Sequence, residues 1–174
     1  MPKFIIKITA DDKTLLDNDD VCCYLADETS APAVLAEAEA SDKLVLASGD
    51  NAVDFCLKAG LDGVLTSDPV DEKFPGLVKR LHKKIGKKFW GAACGITRHE
   101  AMIASEAEPD FVAFRSAGRD GEADILDWYA ELFLLQSALF YTPEINEKLL
   151  SKTDFLIINT SEYKILVDKI KRLD

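Results

Sequence analysis

The stretch Asn51-Ala-Val-Asp-Phe-Cys-Leu-Lys-Ala-Gly-Leu-Asp-Gly-Val64 decides the fold. Residues 52–59 have helix-forming composition, and Gly60 stands where a left-handed cap would end that helix. A short apolar run, Gly63–Thr66, then reads as a strand. Working outward, the same alternation fills the chain. Strands are expected at Phe4–Ile8, Val21–Ala26, Lys43–Ala47, Gly63–Thr66, Lys88–Ala93, Phe111–Arg115, Leu132–Leu139 and Phe155–Asn159. Most are continuous apolar runs with no polar alternation, as parallel strands covered on both faces require. Helices are expected at Ala31–Ala40, Ala52–Ala59, Val70–Ile85, Arg98–Ala107, Asp124–Leu132, Pro143–Leu150 and Glu162–Leu173.

Helix starts carry their own signals. Thr97-Arg-His-Glu100 fits a capping box. Asp68-Pro69 and Thr142-Pro143 each set a capping residue before a proline at the first helical position. No linker, low-complexity tract or charged tail interrupts the pattern, so residues 1–174 read as a single domain. Eight strands alternating with helices predict an α/β protein, a compact (β/α)8 TIM barrel. The chain allows about 22 residues per unit, against ~31 in a barrel of ~250 residues. The shortening shows between the first two strands, where Thr9–Asp20 carries no convincing helix. A doubly wound open sheet of fewer strands is the rival architecture.

Lys and Arg total 21 against 31 Asp and Glu, a net charge of −10. Nucleic-acid binding needs a basic face to neutralise phosphates, and an anionic membrane surface needs the same, so neither partner is expected. No apolar run reaches the ~18 residues of a membrane span. The start, Met1-Pro-Lys-Phe-Ile-Ile-Lys7, lacks a signal-peptide pattern, which predicts a cytoplasmic protein. Cys22, Cys23, Cys56 and Cys94 show no CxxC spacing, and neighbours on a strand face opposite sides, so Cys22 and Cys23 cannot grip one metal ion. With only His82 and His99 besides, a histidine metal site is not expected.

Residues 42–160 carry a set of echoes in order. Asn51–Val64 resembles the thiamine-phosphate synthase/TenI family pattern N-D-x-V-D-L-A-x-x-x-G-A-D-G-V. Gly91–Ala101, ending His-Glu-Ala, is similar to its G-V-S-x-H-x-x-E-E-A stretch. Asp110-Phe-Val-Ala-Phe114 is similar to A-D-Y-V-G-F, and Thr142-Pro-Glu-Ile-Asn146 to I-T-P-E-N. The resemblance implies a barrel in thiamine biosynthesis: a transferase joining a pyrimidine diphosphate to a thiazole phosphate, with Mg2+ and basic residues holding the departing diphosphate. It implies metal ligation by Asp50 and Asn51 with Asp68 or Asp71. Substrate contacts fall on Cys94, Arg115, Ser116, Ser137, Asn159 and Thr160.

Several positions depart from that family. Its Q-x-R-x-K on the second strand aligns with Tyr24-Leu-Ala-Asp-Glu28, so its Arg and Lys meet Ala26 and Glu28. Its Asn-Asp pair is inverted in Asp50-Asn51, and its second metal-binding Asp falls on Val70, between Asp68 and Asp71. The phosphate-binding glycine pair becomes Ser137-Ala138, the Ser after the eighth strand becomes Asn159-Thr160, and the Thr-Lys pair after the sixth strand is missing. The TenI histidine would fall near Leu65. Two alternatives follow: a catalytically inactive barrel serving as a binding or scaffold protein, or one taking a different small ligand in an acidic mouth.

The mouth, at the C-terminal strand ends, is expected to gather Asp27, Glu28, Ser48, Asp50, Asn51, Thr66, Ser67, Asp68, Cys94, Arg115, Ser116, Gln136, Asn159 and Thr160. Its carboxylates suit Mg2+, or else Asp50 and Asp68 are helix caps and Asp27 and Glu28 loop residues. Cys94 reads as a small filler, or as a nucleophile beside a helix N-terminus without a histidine base. Arg115 clamps a phosphate or pairs with neighbouring acids. Gly118-Arg-Asp-Gly121 reads as a surface loop, and Lys79–Lys88 as a solvated face at the opposite end. Trp128, Tyr129 and Phe133 are core if buried and a homodimer contact if exposed.

Overall fold

Strand pairing runs β1-β2-β3-β4-β5-β6-β7-β8 and back to β1, all parallel, in the computed structural model, which describes residues 1–173. The strands are β1 (Lys3–Lys7), β2 (Val21–Ala26), β3 (Leu44–Ala47), β4 (Gly63–Leu65), β5 (Phe89–Gly95), β6 (Phe111–Arg115), β7 (Gln136–Phe140) and β8 (Phe155–Asn159). Six α-helices cover them: α1 (Pro32–Ala40), α2 (Ala52–Ala59), α3 (Phe74–Ile85), α4 (Arg98–Glu106), α5 (Glu122–Leu132) and α6 (Tyr163–Leu173). This is the expected (β/α)8 barrel, and the closure of β8 on β1 excludes the open sheet.

Its economy comes from omitted helices. No helix lies between β1 and β2, as the sequence suggests, and residues 143–150 form only a 3-10 turn, Glu147–Leu149, where a helix was expected. Asn146 caps that turn, its side-chain oxygen accepting the Lys148 N–H at 3.0 Å. Helix α3 starts at Phe74, not Val70, because Asp71 turns the preceding loop by accepting the Lys73 N–H and Pro75 sits in the first helical turn. Asp68-Pro69 and Thr142-Pro143 therefore start no helix. The run Leu132–Leu139 divides: Leu132 ends α5 and β7 begins at Gln136. Gly60, at φ 69°, closes α2 as expected, and the Thr97 hydroxyl accepts the Glu100 N–H at the head of α4.

Side-chain parity along the strands separates two apolar layers. Ile5, Cys23, Leu25, Leu46, Leu65, Ala93, Phe111, Ala113, Ala138 and Ile157 fill the barrel interior. Their alternates, among them Ile6, Tyr24, Val45, Val64, Trp90, Cys94, Val112 and Phe114, pack outward against the helices. Gly91 gives up its side chain to the lumen: a Cβ there would lie 2.4 Å from the Phe111 ring.

A repeated aspartate locks the lower end. Asp62, Asp110 and Asp154 stand immediately before β4, β6 and β8, and their carboxylates accept the N–H groups of Val45, Trp90 and Ser137 at 2.8–2.9 Å. Asp20, before β2, takes the Phe4 N–H on its carbonyl oxygen and the Tyr163 hydroxyl on its carboxylate. Bonds of this charge-assisted kind contribute ~1.5–3 kcal/mol each. Part of the acidic composition is thus spent on pinning each odd strand to the turn that leads into the next even one.

Candidate functional site

Register places the mouth residues. Ile5, Ala113, Ala138 and Ile157 face the lumen, so two residues on, Lys7, Arg115, Phe140 and Asn159 form the layer above. Lys7 is paired directly with Asn159 across β1 and β8. These four, with Ser116, Tyr141, Thr142 and Glu162, line a cavity of about 400 Å3 at the rim of β1, β6, β7 and β8. The Arg115 guanidinium lies 4.1 Å above the Phe140 ring. Among the described residues neither Lys7 nor Arg115 has an ion-pair partner. Arg115 therefore does not pair with neighbouring acids, the alternative its surroundings suggested. Burial lowers its pKa from the ordinary arginine value, with Cys94 opposing. Arg115 is exposed at the rim, and a cation there without a counter-charge is a place where an anion gains free energy on binding.

The backbone offers less than a barrel mouth usually does. N–H groups at four strand ends already serve internal carboxylates: Thr9 to Asp12 (2.7 Å), Gly95 to Glu100 (3.2 Å), Ala117 to Glu122 (2.7 Å) and Asn159 to Glu162 (2.8 Å). Those N–H groups are therefore not free for a ligand at the mouth. Glu122 is buried, and its second oxygen takes the Ser116 hydroxyl proton while Ser116 accepts from Gly118. Ser116 borders the cavity with its hydroxyl committed.

No protein-family model and no curated protein matches the chain. Solved structures do match. Thiamine phosphate pyrophosphorylase from Pyrococcus furiosus superposes with a TM-score of 0.61 at 14% identity, over 91% of this chain and 85% of that one. For 3-hexulose-6-phosphate synthase from Salmonella typhimurium the values are 0.58, 16%, 93% and 90%. Tryptophan synthase from M. tuberculosis gives 0.57 and 10%, covering 96% of this chain and 86% of that one. What is shared is the TIM-barrel fold.

The other expected site residues scatter across this barrel. Asp50, Asn51 and Asp68 line a second groove, about 590 Å3, that opens between α2 and α3 and runs down to Arg80 and Lys84. Asp71 is absent from its lining, its carboxylate holding the Lys73 N–H. Neither Asp50 nor Asp68 caps a helix: Asn51 is the residue preceding α2, without a side-chain cap bond, and α3 starts further on. No three carboxylate, histidine or cysteine side chains gather for a metal among the described residues. Ser137 lies at the lower end of β7, bonded to Asp154, because the strand begins where the sequence seemed to end it. Gln136 leaves the mouth for the same reason. Thr160 starts a 3-10 turn after β8, beside the rim cavity but not on it.

Cys94 faces the helices, not the mouth, and is buried. Burial, with Glu100 adding to it, pushes its thiol up to about 12, and burial pushes Cys22 up to about 11. These thiols stay protonated in the folded protein above the pH at which the unfolded chain ionises. Their stabilising contribution is therefore full below pH ~9 and is lost as pH rises towards 12. Native Cys94 should resist iodoacetamide at pH 8 for hours, reacting at the rate of global unfolding, and urea midpoints should fall above pH 9. Alkylation at the rate of a free thiol would reinstate it as a nucleophile.

Tyr24 and Phe114 also point outward, Phe114 edge-on to Tyr129 at 5.0 Å, so neither plugs the mouth. Tyr129 is core, stacked on Phe133, while Trp128 lies partly buried under Arg98. Lys7 and Glu162 line the rim cavity, and sequence reasoning missed both. The signal was available: Lys7 follows the inward-facing Ile5 by two residues.

Proposed function

We propose that this chain is a thiamine-phosphate-synthase-like barrel that binds a small phosphorylated molecule through Lys7 and Arg115. The observation carrying this reading is the Arg115 guanidinium, 4.1 Å over the Phe140 ring and, among the described residues, without a carboxylate partner, on the same cavity as Lys7. A guanidinium with no carboxylate on it keeps its N–H groups for bidentate contact with phosphate oxygens. Lys7 adds a second charge on a flexible stem. The transferase chemistry rests on the ordered resemblance over residues 42–160. The likeness to the P. furiosus enzyme named thiamine phosphate pyrophosphorylase agrees with it at the level of fold.

Mg2+ needs only one or two protein carboxylates when substrate phosphates and water complete its shell. Asp50 and Asp68 line one groove, separate from the Lys7–Arg115 cavity, and are the residues that would hold such an ion; a diphosphate would have to reach from one to the other for the ion to neutralise it. What the chain's own residues supply is binding and orientation of the anion. A specific observation also favours the inactive alternative. Ala26 and Glu28 stand where the family places Arg and Lys, and like charges ~4 Å apart cost ~4 kcal/mol at an effective dielectric of 20. In that reading the rim still binds a phosphorylated ligand without turnover.

A thermal-shift panel separates the two. Inorganic pyrophosphate, thiamine phosphate and the pyrimidine diphosphate are each tested with and without Mg2+. A ligand at a hundredfold its Kd stabilises by ~2.7 kcal/mol, ~5–10 °C for this chain length. A Mg2+-dependent shift with the pyrimidine diphosphate is the transferase result. A shift with phosphate compounds that ignores Mg2+ favours the binding protein, and no shift with any of them overturns both.

A further inference from the structure

Resting on the Lys7–Arg115 reading, we propose that the rim selects a hydroxylated phosphate monoester, with Glu162 as the specificity-determining residue. Glu162 lines the same cavity as the two cations. One of its oxygens, Oε2, accepts the Asn159 N–H at 2.8 Å, and its other oxygen has no donor among the described residues. That leaves a half-satisfied carboxylate beside the place assigned to an anion. The dianion of a phosphate monoester with no further hydroxyl, all of whose free oxygens accept, gains nothing from Glu162 and is repelled by it. A ligand carrying a hydroxyl next to its phosphate offers the missing donor: the phosphate meets Lys7 and Arg115, and the hydroxyl proton goes to the free carboxylate oxygen. The apolar parts of the cavity, Phe140 and Ile157, receive the short carbon chain between them.

Acid and base thus divide the labour of recognition. The cations set the affinity for phosphate, and Glu162 sets which phosphate is taken, because a hydrogen bond to a charged group discriminates about tenfold or more against a ligand lacking it. Arg115 cannot discriminate in this way, since every phosphate monoester presents it the same oxygens.

Calorimetric titration of the full chain with sn-glycerol 3-phosphate, propyl phosphate and inorganic phosphate tests this. The native chain should prefer glycerol 3-phosphate to propyl phosphate by about tenfold or more. In Glu162→Gln the remaining carbonyl oxygen still caps Asn159, and the preference should fall to about fivefold or less, the scale of a neutral hydrogen bond. Propyl phosphate should bind that variant as tightly as before, or more tightly. Glu162→Asp, which keeps the charge but withdraws it by a methylene, should lose the preference too and covers the case in which Glu162→Gln fails to fold. Equal affinity of the native chain for the two esters, or an undiminished preference in the folded variants, overturns the role of Glu162 and leaves the rim site standing. Binding of none of the three probes, or binding that Arg115→Met leaves intact, overturns the rim site itself.

Discussion

Gly63→Ala should abolish the cooperative barrel. Gly63 sits on β4 directly opposite Phe89 of β5, and a Cβ built on it would lie 1.8 Å from the Phe89 carbonyl oxygen and 2.6 Å from its carbonyl carbon. The obstacle is backbone, so no rotamer change relieves it. Relief requires β4 and β5 to separate, in a closed barrel where each strand is fixed on both sides. The cost belongs with the ~4–5 kcal/mol or more seen only for severe core lesions, much of the 5–15 kcal/mol that holds a domain together. Circular-dichroism melts should show either no transition or a midpoint lowered by well over ~10 °C.

The control is the same substitution at Gly76, exposed in the first turns of α3, where the new Cβ approaches nothing closer than Arg80 Nη1 at 3.8 Å. There alanine removes glycine's entropic cost and should stabilise by ~0.5–1 kcal/mol. Opposite signs for one chemical change isolate the strand contact as the cause. A Gly63→Ala protein that melts with the native one would mean that β4 and β5 are not apposed as described.

Arg115→Met should remove phosphate binding while leaving the fold in place. Methionine keeps an unbranched apolar body to cover Phe140 and loses the charge and all the donors. Hydrogen bonds to charged groups contribute ~1.5–3 kcal/mol, so affinity for the phosphorylated ligands should fall ~10–150-fold. The melting temperature should move by no more than a few degrees, because Arg115 has no ion-pair partner among the described residues and a cation–π contact contributes ~0.5–1 kcal/mol at an exposed site. Arg115→Lys tests geometry apart from charge. An ammonium offers no planar fork and stacks poorly, so this variant should recover only part of the loss. Lys7→Met should weaken the same ligands less, as one flexible point charge. Unchanged affinity in Arg115→Met would remove the rim from consideration and move attention to the Asp50–Asp68 groove.

How much was legible depended on the range of the interaction. The apolar runs at β2, β6 and β8, the Gly60 stop and the Thr97–Glu100 cap are set by residues within a turn or two of one another, and the sequence places them where they occur. The run from Leu132 to Leu139 misled because both an amphipathic helix end and a buried strand are apolar; only the docking of Ser137 on Asp154 fixes where β7 starts. Residues 143–150 likewise have helical composition, but only the 3-10 turn Glu147–Leu149 forms there, with Leu149 buried in the core.

The candidate site divides along the same line. That Arg115 ends a strand could be read directly. That Cys94 faces away, that Ser137 lies at the wrong end, and that Lys7 joins Arg115 are matters of parity and register, where a slip of one residue exchanges inside for outside. Local sequence sets the alternation of strand and helix, because apolar period and capping act locally; that the strands close into a barrel and not an open sheet is settled by β8 pairing with β1. Tertiary closure alone decided which charges meet. Lys7 and Arg115 stand more than a hundred residues apart in the chain and share a cavity only because β8 returns to β1.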